Sequence, residues 1–200
     1  MKQTAEARIL ALAHEVGVIR PRDLAALGLT RASLTSLVRQ GLLTRDGRGL
    51  YTLASGETLT AHHSLVAAAK RVPSGVVCLV SALYFHDMGT QLPFKVWMAI
   101  HPKAHRPTNS SIRFMRFSGS ALELGVETHV IEGVPVRIFS PAKTVVDCFR
   151  YRNKVGLDVA LEALRDYLQK RLGTVDELWK LARACRILSV LRPYAEAMVA

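Results

Sequence analysis

The chain is poor in acid: 16 Asp and Glu stand against 27 Lys and Arg, a formal net charge of +11 over 200 residues. That imbalance favours a polyanionic partner, because each phosphate neutralised by Lys or Arg releases condensed counterions. Cysteine is scarce as well. Cys78, Cys148 and Cys185 are odd in number, far apart and set in apolar surroundings, which excludes a disulfide framework or zinc ribbon and makes them small core residues. No run approaches the ~20 apolar residues that a bilayer span requires, and the polar start Lys2 to Arg8 leads into no secretory apolar core. A cytoplasmic protein without membrane contact is expected. There is no Walker-type loop and no Gly-x-Gly-x-x-Gly, so no nucleotide cofactor is implied, and the expected cofactor list is empty. Repeats and low-complexity tracts are missing too, and the 50% hydrophobic content is ample for one large or two modest folded domains.

The front of the chain holds a recognisable order of elements. Ala5, Ile9, Leu12, Ala13 and Val16 form one apolar stripe at helical spacing, ending near Gly17. Pro21 suits the first turn of a second helix, whose buried side is Leu24, Ala25 and Leu27 and which Gly28 breaks. Thr30 is placed to N-cap a third helix, Arg31 to Gln40, with Leu34, Leu37 and Val38 inward and Gly41 at its end. The period then changes. Leu42 to Arg45 and Leu50 to Leu53 read as strands joined by the turn Asp46-Gly47-Arg48-Gly49. Helix, short helix, turn, helix and hairpin make a winged helix-turn-helix.

A wheel of the third helix sets Ala32, Thr35, Ser36, Arg39 and Gln40 opposite the buried leucines, with Arg31 beside its start. Small residues admit the backbone to a major groove, Arg and Gln reach base edges, and Thr and Ser reach phosphates. The candidate DNA-binding residues are therefore Arg31, Thr35, Ser36, Arg39 and Gln40, flanked by Arg20, Arg22 and the wing residue Arg48. A polar helix face alone would signify only solvation; the order of all five elements and the wing arginine favour double-stranded DNA.

Ser55-Gly56-Glu57 interrupts the pattern, which predicts a winged domain over residues 1–56 and a second domain over 57–200. The second domain begins with a helix over Ala61 to Arg71, stopped by Pro73-Ser74-Gly75. Val76 to Met88 reads as buried strand or buried helix, with helix favoured for its later part. Strands are expected over Phe94 to His101, Ser111 to Phe117, Val126 to Ile131 and Val134 to Phe139, the last two closed by Glu132-Gly133. Ser140-Pro141 then starts a helix, Asp158 to Gln169 continues with another, Thr174 to Glu177 is a capping box for a third, and Tyr194 to Val199 ends in helix. The fold class is α+β: a winged helix-turn-helix followed by a mixed α/β domain with a small, mainly antiparallel sheet and C-terminal helices.

Two basic clusters lie in the second domain: Lys103, Arg106, Arg113 and Arg116 with His101 and His105, in a stretch without acid, and Lys143, Arg150, Arg152 and Lys154. Either could meet DNA, a protein partner or water. Enzyme signals are weak. Glu123, Glu127 and Glu132 are isolated and make no metal-holding carboxylate cluster for a nuclease. His101 and His105 have helical metal spacing, but Pro102 and a strand context argue against a metal site. Ser81, His86 and Asp87 have the residue types of a triad without the glycine pattern of a nucleophile elbow.

Ser81-Ala82-Leu83-Tyr84-Phe85-His86, Val136-Arg137-Ile138-Phe139-Ser140-Pro141-Ala142-Lys143-Thr144-Val145-Val146-Asp147, Tyr151 to Asp158 and Ala160 to Leu164 together resemble the AbiEi family of antitoxins over nearly the whole chain. The Ser-Pro-x-Lys-Thr-x-x-Asp run is the most specific part. The resemblance implies the non-enzymatic antitoxin half of a bacterial type IV toxin-antitoxin pair, partnered functionally by a nucleotidyltransferase-like toxin. It implies a winged domain that binds repeats in its own promoter and represses the operon, and a C-terminal domain that counteracts the toxin. A monomer that assembles cooperatively on DNA fits such repeats. Two other readings differ in class: a free-standing winged-helix regulator with a ligand-sensing second domain, and a metal-dependent nuclease with a winged targeting domain.

Overall fold

Thr4 opens the first helix by accepting the Ala7 amide N–H on its hydroxyl at 3.2 Å, and α1 (Ala5–Val16) stops at Gly17, where φ is 62°. The structure, a computed structural model, describes residues 4–45, 49–54, 61–107 and 111–199. Its contacts divide the chain into two compact units, Met1–Val72 with His129–Val136, and Pro73–Thr128 with Arg137–Ala200.

In the first unit α1 is followed by β1 (Val18–Ile19), a 3₁₀ helix (Pro21–Leu27), α2 (Arg31–Arg39), β2 (Leu43–Arg45), β3 (Tyr51–Leu53) and α3 (His63–Arg71). The three strands form an antiparallel sheet in the order β1-β3-β2, with Thr52 opposite both Val18 and Thr44. Ile9, Ala13, Ile19, Leu24, Leu34, Leu37, Leu43 and Tyr51 make the core, the larger side chains contributing ~1.5–3 kcal/mol each on burial. The second element is thus a tighter helix than the spacing suggests, and Thr30 precedes α2 without a side-chain capping bond; its carbonyl instead accepts the Ser33 amide at 3.2 Å. Asp46, Gly47 and Arg48 of the wing turn, and Ser55-Gly56-Glu57, lie outside the described residues.

A distant piece of chain completes this unit. Glu132 and Gly133 turn with φ of 50° and 70°, as a two-residue primed hairpin requires. The buried Glu132 carboxylate meets His63 Nδ1 at 2.8 Å.

The second unit carries β4 (Val76–Val77), α4 (Leu79–Phe85), β5 (Val96–Ile100), β6 (Ile112–Arg116), a second 3₁₀ helix (Gly119–Leu122) and α5 (Pro141–Arg150) to α9 (Leu188–Val199), by way of α6 (Arg152–Val155), α7 (Leu157–Gln169) and α8 (Val175–Ala184). The hairpin strands β7 (Val126–Ile131) and β8 (Val134–Phe139) complete a five-stranded sheet, β6-β5-β4-β8-β7. The apolar run Val76 to Met88 is a short strand and then a helix. The strand directions are mixed: β4 pairs antiparallel with β5 but parallel with β8, and β5 is parallel to β6, where a mainly antiparallel sheet is expected from sequence. Caps start the later helices, with Ser140 Oγ accepting the Lys143 amide at 3.3 Å and Thr174 Oγ1 accepting that of Glu177 at 3.1 Å. Cys78, Cys148 and Cys185 are buried and unpaired in the apolar core. No helix among the described residues is long and apolar enough to cross a membrane.

Candidate nucleic-acid interface

Two glycine stops set the ends of the candidate segment around α2. Gly28, at φ 65°, donates its amide to Ala25 while Leu29 reaches back to Leu24 at 3.1 Å, so the turn into α2 is closed by two backbone bonds. At the far end Gly41, at φ 70°, repeats the pattern: its N–H reaches Val38 O at 3.1 Å and that of Leu42 reaches Leu37 O at 3.0 Å. Leu34 and Leu37 are fully buried between these stops, which turns Arg31, Ala32, Thr35 and Arg39 outward, all exposed. None of the side chains of Arg31, Thr35 and Arg39 makes a hydrogen bond or ion pair among the described residues. One face of α2 therefore offers two cations and a hydroxyl around a small residue that admits close approach.

Ser36 and Gln40 lie on the edge of that face nearest α1 and are already engaged. Gln40 Nε2 donates to Glu6 Oε1 at 2.9 Å and to Ser36 Oγ at 3.1 Å, and Ser36 Oγ stands 3.4 Å from the same Glu6 oxygen. The flanking arginines divide. Arg22 is exposed on the 3₁₀ helix, whereas Arg20 is half-buried, its guanidinium donating to Lys70 O at 2.6 Å and to Asp23 Oδ1 at 3.4 Å. Asp23 returns the contact by accepting the Arg20 amide at 2.8 Å. Arg20 is thus a helix-start and packing residue, with its guanidinium turned to the protein and not to a phosphate. The adjoining Lys70 amine, 3.6 Å from Asp23, is held below its ordinary pKa by burial. Arg48 lies outside the described residues.

In the second unit one contact, through Tyr151, links the two basic clusters that the sequence keeps apart. Lys103, Arg106, Arg113 and Arg116 are exposed, with the Arg113 guanidinium 3.9 Å from the centre of the Trp97 ring. Arg116 reaches His101 O at 3.5 Å, and Tyr151 Oη donates to Arg116 O at 3.4 Å. Arg150 and Lys154 lie 5.7 and 5.8 Å from the Tyr151 ring, so Tyr151 links both cationic segments. Arg152 donates to Phe149 O at 3.0 Å. Lys143 does not belong to this surface. It is fully buried, paired with the equally buried Asp147 one helical turn on, and its ammonium stands 4.1 Å from the Phe139 ring.

Ser81 and His86 serve the fold. Ser81 Oγ accepts the Trp97 amide at 2.9 Å, and His86 Nε2 meets Phe139 O at 2.7 Å. His101 Nδ1 accepts the Lys103 amide at 3.2 Å.

The winged domain is matched by a known family. Residues 7–54 fit the family model described as transcriptional regulator, AbiEi antitoxin. The matched segment spans α1 to the end of β3, so the AbiEi-type domain coincides with the elements that carry the outward face of α2. Comparison with curated proteins returns no match. Among solved structures, the RV2827C protein of Mycobacterium tuberculosis is similar in fold, with a TM-score of 0.59 at 16% identity over 90% of this chain and 72% of that one. Over residues 7–54 the chain is thus similar to a family of transcriptional regulators.

Within that domain, Glu6 is the residue that sequence reasoning passes over. It occupies the first turn of α1, where an acid is ordinary helix-dipole chemistry, and only the packing of α1 on α2 brings it to Ser36 and Gln40.

Proposed function

We propose that this chain is the antitoxin of a bacterial type IV toxin-antitoxin pair, which represses its own operon by binding promoter repeats and counteracts a nucleotidyltransferase-like toxin. Residues 1–56 bind DNA in this reading and residues 57–200 carry the antitoxin role. The observation that carries it is the face of Arg31, Ala32, Thr35 and Arg39 on a helix closed at both ends, within the segment that fits the AbiEi regulator family. Arg31 and Arg39 reach base edges or phosphates, Thr35 a phosphate, and Arg22 the flanking backbone. Each winged domain makes a small interface, so occupancy comes from several copies on adjacent repeats.

Fluorescence anisotropy of the full chain on its own upstream DNA, against a shuffled duplex of equal length, tests the repressor. The upstream sequence is preferred, and affinity falls log-linearly with salt. Arg39→Ala weakens the preferred duplex by ~1–3 kcal/mol and relaxes its sequence preference. Equal binding to both duplexes would overturn operator recognition. Co-expression with an adjacent nucleotidyltransferase reading frame tests the antitoxin: growth arrest that the full chain fails to relieve would overturn that part alone.

A further inference from the structure

The hydrogen-bonding capacity of Gln40 is half used before any DNA arrives. Its amide nitrogen has two hydrogens, and Glu6 Oε1 at 2.9 Å and Ser36 Oγ at 3.1 Å take both. A carboxylate only accepts, so chemistry dictates that the nitrogen, and not the oxygen, of this amide faces Glu6. Ser36 completes a three-residue ring by donating to the same carboxylate oxygen at 3.4 Å. The backbone beneath is equally constrained, because Gln40 is the C-cap of α2, directly before the two backbone hydrogen bonds donated by Gly41 and Leu42. What remains to this exposed side chain is its carbonyl oxygen, an acceptor.

We propose that Glu6 is a specificity-determining positioning residue that makes Gln40 an acceptor-only reader of the major groove, selecting adenine or cytosine over guanine or thymine at the base it faces. The inference rests on α2 being the DNA-recognition helix. Adenine and cytosine each present an exocyclic amino donor in the major groove, whereas guanine shows only acceptors there and thymine an acceptor with a methyl group. An unrestrained glutamine would grip adenine with both halves of its amide. Gln40, with its donors held by Glu6 and Ser36, cannot form the second of those bonds and so accepts cytosine as readily. The negative charge of Glu6 behind the amide also opposes a base edge that presents only oxygen and nitrogen lone pairs.

The test is selection by the full chain from a pool of duplexes with a randomised centre, followed by titration of duplexes that differ at one position. Wild type should prefer adenine or cytosine at one position by about fivefold or more, and Gln40→Ala should level that position alone. Glu6→Ala releases the amide hydrogen that Glu6 holds, so adenine should gain over cytosine and guanine should become tolerated. Glu6→Gln keeps a side-chain carbonyl for the Gln40 nitrogen and should restore the wild-type preference. Thermal melts of all three variants close to that of wild type keep the comparison one of reading and not of folding. Selection of a sequence with no position responsive to Gln40→Ala, or an unchanged base preference in Glu6→Ala, overturns the proposal while leaving α2 a recognition helix. Selection of no sequence at all by wild type overturns the DNA reading itself, and this proposal with it.

Discussion

Burial of the Lys143 ammonium beside the Asp147 carboxylate takes two charges out of water, a cost offset by their mutual attraction and by the rings of Phe139 and Phe117, 4.1 and 5.0 Å from the nitrogen. Removing one partner strands the other. Lys143→Met should therefore cost ~3–5 kcal/mol in urea unfolding, and the double variant Lys143→Met/Asp147→Leu should recover much of that loss. If the double variant proves as unstable as the single one, the pair is not what the site requires. Asp147 adds a pH dependence. Burial pushes its carboxyl up to about 6, with Lys143 pulling the other way, and its Oδ1 has no hydrogen-bond partner among the described residues. A carboxyl raised on folding binds its proton more tightly in the native state than in the unfolded chain. Its contribution is complete below the unfolded value near 4 and is lost as pH rises through about 6. The stability of wild type relative to Asp147→Asn should accordingly decline between pH 4 and pH 7; a flat difference would refute the shift.

At the scale of elements, two glycines with similar backbone angles should respond differently to alanine. Gly28 has φ 65° with open space where a Cβ would lie, so Gly28→Ala carries only the left-handed penalty of ~1–2 kcal/mol. Gly133 has φ 70°, and a Cβ there would collide with the backbone carbonyl of Glu15, so Gly133→Ala should lower the melting temperature clearly further. Equal losses would mean that the hairpin tip does not bear on α1 in solution. The contrast also shows which parts of this fold are legible in sequence. Gly17, Gly28, Gly41 and Gly133 announce their turns because local backbone conformation demands them, and Ser140-Pro141 and Thr174 announce their helices through capping chemistry. The 3₁₀ geometry of Pro21–Leu27 and the two-residue β1 leave too little periodicity to read. Strand direction in the second sheet is decided by which strands meet, so it is invisible to a local pattern. Lys143 misleads for a related reason: every residue from Ala142 to Phe149 is buried, and a helix covered on all sides has no solvated face to assign a lysine to. Ser36 and Gln40 are legible as outward-facing residues of α2, but Glu6, which holds them, is not, because it lies on another helix.

Over the whole molecule, positive charge is distributed between the outward face of α2, the proposed reading face, and a surface in the second unit. Residues 1–57 hold eight Lys or Arg against five Asp or Glu, while the remainder holds 19 against 11, so most of the excess lies outside the winged domain. Arg150 and Lys154 lie beside the Tyr151 ring, whose hydroxyl bonds the Arg116 carbonyl, and none of the three cations forms an ion pair among the described residues. Cations so placed lose little on meeting phosphate, since no carboxylate must first be given up. They lie outside the winged domain and its helix α2, so their contribution to DNA binding should be independent of sequence. The expected signature is electrostatic. Arg116→Ala/Lys154→Ala should reduce the magnitude of the log Kd against log salt slope by ~0.9 for each phosphate that the variant no longer neutralises, equally on the upstream and shuffled duplexes. Arg39→Ala, by contrast, should narrow the gap between the two duplexes. A double variant whose salt slope matches wild type would remove this surface from the DNA footprint and leave its charge available to a different acidic partner. A double variant that changed base preference would show that the division of labour drawn from the geometry, with α2 reading and the Tyr151 surface holding, is misplaced.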